Sequence, residues 1–224
     1  EYNIKFKDLN TGQTYKNTLT NSSGDMAWSS DGRYLFYVLR DQETLLPFKL
    51  FRHEIGSSQS EDVLVYEEKD PTFYLSVGNS RSMQFIEVNI SSTTSSEVRL
   101  INSDTPEESP YIFLKRESDH LYSIEHDPED NRFLVETNWL AKNFRLMAID
   151  LKKSADKNEW IELIPHREDT LLQSALAFPY HLVIMERENG LRQLKIINKK
   201  DNAERSINFN DPAYSAYLAA NPEY

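Results

Sequence analysis

Met26-Ala27-Trp28, the turn Asp31-Gly32, Tyr34-Leu35-Phe36-Tyr37-Val38-Leu39, Pro47-Phe48-Lys49-Leu50-Phe51-Arg52 and Asp62-Val63-Leu64-Val65-Tyr66-Glu67 follow one another within about fifty residues. These are four runs rich in β-branched and aromatic residues, separated by turn residues, which is the pattern of four short strands. The second run is apolar without alternation, as expected of a strand covered on both faces.

The same unit recurs along the chain. Its second run returns around Phe85, Phe133 and Leu182, so that with Phe36 the spacings are 49, 48 and 49 residues. The third run supplies Leu50, Leu100, Leu146 and Leu194, and the fourth supplies Leu64, Ile112, Ile161 and Ile207. Three independent markers therefore share one period near 48. A four-stranded repeat of that length is the sequence mark of a β-propeller blade. A sandwich of short strands would explain the turns but not this register. We expect an all-β chain, a β-propeller fragment of four-stranded antiparallel blades. Full blades fall at about 24–68, 70–116, 119–166 and 170–210. Residues 1–20 read as the last two strands of an incomplete blade, and 213–224 as the first strand of a truncated one. The whole is one domain, and the chain reads as a piece of a longer protein whose end blades leave apolar faces open to self-association. The lysine-rich stretch Lys152–Asn158 reads as a solvated loop.

With 224 residues the chain can bury a large core. It contains no cysteine, which excludes a disulfide scaffold or a thiol nucleophile and fits a reducing, cytoplasmic compartment. The net charge of −11 argues against nucleic acid as partner and favours cationic ligands. No apolar run reaches membrane length.

No motif carries catalysis. A Gly-x-Ser-x-Gly elbow and a phosphate-binding glycine loop are both absent, and no cofactor is expected. His120, Glu125, His126 and Asp127 come nearest to a metal cluster. Alternation along a strand, however, sends His126 to the opposite side from Glu125 and Asp127. One constellation remains. The connection into the first strand of each unit carries an aspartate: Asp25, Asp70, Asp119, Asp169, and Asp211 before the truncated unit. Such connections share one end of a propeller and would set carboxylates around its mouth. Aspartate is equally a favoured turn residue that bonds its own backbone, so both readings stand.

Asp62-Val63-Leu64-Val65-Tyr66-Glu67-Glu68-Lys69-Asp70, running on to Phe73-Tyr74-Leu75-Ser76-Val77-Gly78-Asn79-Ser80-Arg81-Ser82, resembles the propeller of the oligopeptidase B branch of the prolyl oligopeptidase family. So do Leu45–His53, Glu136–Trp139 and Asn143–Leu146. The likeness covers nearly the whole chain and weakens after about residue 150. It implies a seven-bladed propeller capping an α/β-hydrolase domain that cleaves short peptides after Arg or Lys. The catalytic Ser, Asp and His of that family have no counterpart here, so this segment alone is expected to be inactive. Its partners would be the hydrolase domain of the same parent chain and short basic peptides, and its role a gate that excludes folded proteins. Asp70, Asp119, Asp169 and Asp211 would then attract basic peptides or pair with the hydrolase. The competing class is a stand-alone propeller that presents its loops to a protein partner.

Overall fold

The structure, a computed structural model, describes residues 2–211 and 213–219. It contains seventeen strands among them, in four antiparallel sheets whose strands follow chain order. The first sheet holds β1 (Tyr2–Lys7), β2 (Thr14–Trp28), β3 (Tyr34–Arg40), β4 (Pro47–Glu54) and β5 (Val63–Glu67). The second holds β6 (Tyr74–Asn79), β7 (Phe85–Ser91), β8 (Ser96–Asn102) and β9 (Tyr111–Leu114). The third holds β10 (Tyr122–Asp127), β11 (Arg132–Thr137), β12 (Arg145–Ile149) and β13 (Ile161–Ile164). The fourth holds β14 (Thr170–Ala177), β15 (His181–Glu188), β16 (Leu191–Asn198) and β17 (Glu204–Ile207). Each repeat marker lands on its equivalent strand. Phe36, Phe85, Phe133 and Leu182 occupy the second blade strands β3, β7, β11 and β15, and the other two sets occupy the third and fourth. The blades predicted from the 48-residue period are these sheets. No helix among the described residues is long and apolar enough to cross a membrane.

The chain forms two compact units, 1–115 and 116–224. In the first unit, β3 is buried from Tyr34 to Val38 because alternate side chains enter two different cores. Phe36 and Val38 meet Leu75, Val77, Ile86 and Val88 of the second sheet. Leu35 and Tyr37 meet Ile4, Phe6 and Leu19 on the opposite side. Asn79, closing β6, spans the two sheets. Its side-chain amide accepts from the Trp28 N–H (2.9 Å) and donates to the Trp28 carbonyl (2.8 Å), in the manner of a paired strand residue. Asn79→Ala is expected to cost about 1–2 kcal/mol in urea unfolding, since both backbone groups lose their partner. Asn79→Asp should restore only the accepting half.

The first sheet departs from expectation. Residues 1–20 are not a separate partial blade, because β2 runs unbroken from Thr14 to Trp28. It pairs with β1 up to Ser22 and with β3 from Ser22 onward, which makes five strands. Too few residues separate the two runs for a crossing loop, so the strand bends instead. Gly24 lies at the bend with φ +103°, a backbone conformation that other residues rarely adopt, and a Cβ there would press at 3.0 Å on the exposed Tyr2 ring, which would have to shift by a few tenths of an ångström. The bend lays the β1–β2 hairpin over Leu35 and Tyr37, and Phe6 stacks on His53 at 5.3 Å. Asp25 accordingly sits inside β2 rather than in a connection.

In the second unit, Leu134, Leu146 and Ala148 pack against Leu172, Ala175, Leu182 and Ile184. The stretch 152–158 is more fixed than a solvated loop. Two single-turn 3-10 segments, Leu151–Lys153 and Lys157–Glu159, are capped by Asp150 and Asp156, and Trp160 Nε1 donates to the carbonyl of the buried Ser154 at 2.9 Å. The expected strand at 213–218 is absent. An edge strand needs a partner ladder, and the described residues there form none. Tyr217 instead lies under the Arg192 guanidinium, 4.0 Å from its ring centre. The expected segment's last residues, 220–224, lie outside the described residues.

Candidate functional site

The β3–β4 turn and the β5–β6 connection converge at one end of the first unit, around a pocket of about 200 Å³. Its walls include Asp41, Glu68, Asp70, Phe48 and Phe73. Each carboxylate is locked by short-range bonds. Asp70 accepts from the Thr72 N–H (2.9 Å) and hydroxyl (2.7 Å), and its own N–H donates to Glu68. Glu68, almost fully buried, also accepts from the Tyr66 hydroxyl at 2.7 Å. Asp41 accepts from the Thr44 N–H and hydroxyl and from the Glu43 N–H; the first of these does most to hold its carboxyl below the usual range. Donors that bond the charged form stabilise it, so Asp41 stays ionised. With Lys69 also in its wall, the pocket joins three carboxylates and one lysine to two aromatic rings, an acidic balance suited to a Lys or Arg side chain.

The remaining predicted aspartates are more dispersed. Asp119 is exposed with φ 59°, and its carbonyl accepts from Asn138 Nδ2, whose Oδ1 takes the Leu121 N–H. Asp169 accepts from the Thr170 hydroxyl at 3.1 Å and is exposed, as is Asp211. No hydrogen bond joins Asp119, Asp169 and Asp211 among the described residues; Glu168, next to Asp169, pairs with Lys142. Asp25 accepts from the Ser23 hydroxyl at 2.9 Å. Thus Asp70 is drawn into a pocket with two further acids that sequence reading passed over, while Asp119, Asp169 and Asp211 stand exposed at separate connections and Asp25 lies within β2. Asp41 carried a signal, since Asp41-Gln42-Glu43-Thr44 is an Asx-turn sequence at the equivalent end of a blade.

Buried charge was the larger omission. Among the described residues no group of three or more His, Cys, Asp or Glu is placed to hold a metal. The residues considered for one do other work. His120 Nε2 lies 2.8 Å from the Thr137 hydroxyl, and the fully buried Asp127 binds Lys199 Nζ at 2.6 Å. His53 Nδ1 lies 2.7 Å from Asp62, which also accepts from the Tyr37 hydroxyl at 2.7 Å. Burial first, then the bond to Asp62, keeps that phenol protonated throughout the physiological range. Glu136 faces a cavity of about 160 Å³ lined also by Glu125, Ser174 and Leu176, and burial raises its carboxyl to about 7.

A profile of the family described as "Prolyl oligopeptidase, N-terminal beta-propeller domain" matches residues 1–224. Dipeptidyl aminopeptidase BI of Pseudoxanthomonas mexicana is 38% identical over 227 residues, covering 100% of this chain and 30% of that protein. Protease 2 of Moraxella lacunata is 34% identical over 225 residues, covering 100% and 31%. The structure of oligopeptidase B from Leishmania major superposes with a TM-score of 0.88 at 26% identity, over 97% of this chain and 31% of that one. The chain spans just under a third of the length of these relatives.

Proposed function

Because the chain belongs to the prolyl oligopeptidase N-terminal β-propeller family, we propose that it is the non-catalytic propeller segment of a serine oligopeptidase acting after Arg or Lys. In this reading it limits by size what reaches a hydrolase domain carried elsewhere in the parent protein. The observation that carries the proposal is full-length similarity, at 38% and 34% identity, to two proteins named as an aminopeptidase and a protease that are about three times longer. The acidic, aromatic-walled pocket around Asp70 and the net charge of −11 support a cationic substrate. A closed cover would also keep water from the reaction and admit only chains thin enough to pass.

Asp70, Asp119, Asp169 and Asp211 are assigned the attraction of basic peptides or reversible pairing with the hydrolase. Exposed charges act weakly and are screened by salt, which suits a cover that must reopen. Changing all four to Asn in the parent enzyme should lower kcat/KM for an Arg-containing peptide about two- to fivefold at low ionic strength. The loss should vanish near 0.5 M salt, where screening is nearly complete. Kinetics unchanged at every ionic strength would remove the aspartates from the mechanism. Activity toward folded proteins equal to that toward short peptides would remove the gate itself.

A further inference from the structure

Glu136 stands on the face of β11 that packs on the fourth sheet, beside Ser123 of β10 and Leu146 of β12. Across from it, β14 carries a bulge. Leu172 pairs with Glu186 and Ser174 with Met185, so Gln173 is the extra residue, and its side chain is turned to Arg192 at 3.2 Å. The β14 side chains that enter the core against the third sheet are therefore Leu172, Ala175 and Ala177, with nothing large between the first two. The gap is the cavity of about 160 Å³ that Glu136 shares with Ser123, Glu125 and Ser174.

Among the described residues no hydrogen bond or ion pair reaches the Glu136 carboxyl, and burial is the one cause that raises it from 4.5 to about 7. From β10 it is faced by Glu125 and, farther along, by Asp127, which is bound to Lys199. β12 presents Leu146, and β14 presents Ser174, Ala175 and Leu176. Arg145, beside Leu146, is engaged by Glu162 at 3.2 Å and lies over Trp139. A bare carboxylate in this cavity must take in water or push the walls apart. The two ends of the seam differ in strength. At one end the Leu172 N–H donates to the Asn143 carbonyl (3.0 Å), and Asn143 Nδ2 donates to the carbonyls of Arg167 and Glu168 (3.0 and 2.8 Å). At the other the Ala177 N–H reaches Glu125 by one bond of 3.3 Å. The Asp127–Lys199 pair near that end hangs on a flexible lysine stem, which follows a small displacement.

We propose that Glu136 is the trigger of a pH-sensitive seam between the third and fourth sheets. When it loses its proton, water enters the cavity and the Glu125–Ala177 bond opens, while Leu172 stays hinged on Asn143. Restored to 4.5 in the open seam, the carboxyl favours opening progressively from pH 4.5 and levels off above pH 7. Between pH 5 and pH 8 the open form gains about 50-fold on the closed one. In a parent protein that limits entry by size, a seam loosened above pH 7 would alter what passes. That consequence rests on the gating reading; the seam itself does not.

The test is amide exchange in the 15N-labelled chain, with each rate divided by its intrinsic rate at the same pH. Ala177 should lose protection about 50-fold from pH 5 to pH 8, and Leu172 less than about threefold. In Glu136→Gln the Ala177 protection should hold within about threefold over the same range. In Glu125→Gln, whose amide oxygen still accepts the bond, the fall should remain. Equal losses at Ala177 and Leu172 would show the whole unit opening and would overturn the hinge. Constant Ala177 protection in the unaltered chain, a fall that persists in Glu136→Gln, or one abolished by Glu125→Gln would overturn the trigger. The comparison of Ala177 with Leu172 uses the unaltered chain, so it decides even where a variant fails to fold. None of these readouts depends on peptidase activity, so the seam stands or falls separately from the gating role.

Discussion

Replacing Lys199 with methionine is expected to lower the stability of the unit 116–224 by about 3 kcal/mol, the low end of the loss typical of breaking a buried ion pair. Asp127 ends β10 with its side chain entirely shielded, and Lys199, its side chain only 10% exposed, places Nζ 2.6 Å from Oδ1. Arg132 already reaches the same carboxylate, with its Nε 3.5 Å from Oδ2 and another arm on Asp130 at 2.8 Å, so part of the pairing survives and the loss falls toward that low end. Methionine keeps the length of the aliphatic stem, and the Lys199 N–H to Tyr180 carbonyl bond (2.9 Å) is untouched, so the loss isolates the charge. The double variant Asp127→Leu/Lys199→Met should recover most of it, because an apolar pair carries no desolvation cost. Urea unfolding of the three variants is the measurement. A Lys199→Met variant within 1 kcal/mol of the parent would show that the carboxylate is satisfied without the lysine.

Glu136→Gln should have the opposite sign, and only in part of the pH range. Glu136 lies on β11 between Ser123 of β10 and Leu146 of β12, and faces Ser174 and Leu176 of the neighbouring sheet. The other ionisable group lining this cavity is Glu125, whose carboxylate accepts from the Ala177 N–H at 3.3 Å. Among the described residues no cation lines the cavity, and burial raises the Glu136 carboxyl from 4.5 to about 7. The folded state thus favours the protonated acid. Its contribution is complete below pH 4.5, falls as pH rises through 7, and is absent above. The difference between the two pKa values corresponds to about 3 kcal/mol. Glu136→Gln, which stays neutral, should unfold like the parent at pH 4 and be more stable by about that amount at pH 8. Parallel curves at a constant offset from pH 4 to pH 9 would contradict the assignment.

Some of this was visible in the amino-acid order. Phe36, Phe85, Phe133 and Leu182 mark the same strand of four successive sheets, and the unalternating run Tyr34–Val38 signalled burial on both faces. The continuity of β2 was not visible. Asn21-Ser22-Ser23-Gly24 reads as a break between strands, and only the packing of Ile4, Phe6 and Leu19 on Leu35 and Tyr37 turns it into a bend. The loop 152–158 has no apolar stripe, so nothing local predicted that Ser154 would be buried under Trp160. For the candidate site, Asp70 was legible as a turn aspartate at a blade connection. Its companion Glu68 stands two residues before it in the same connection, whereas Asp41 comes from the β3–β4 turn and meets them only once β3, β4 and β5 are paired.

The division follows from the distance over which each interaction acts along the chain. A blade is a meander of neighbouring hairpins, so period-two alternation, turn residues and a 48-residue spacing are enough to specify it. How one blade lies on the next depends on contacts across about fifty to seventy residues, such as Asn79 on Trp28 and Lys199 on Asp127. A carboxylate in a strand looks the same in sequence whether its partner is water, a lysine 72 residues away or nothing. That choice was made by the stacking of the sheets, because only there does removal from water make the missing partner costly.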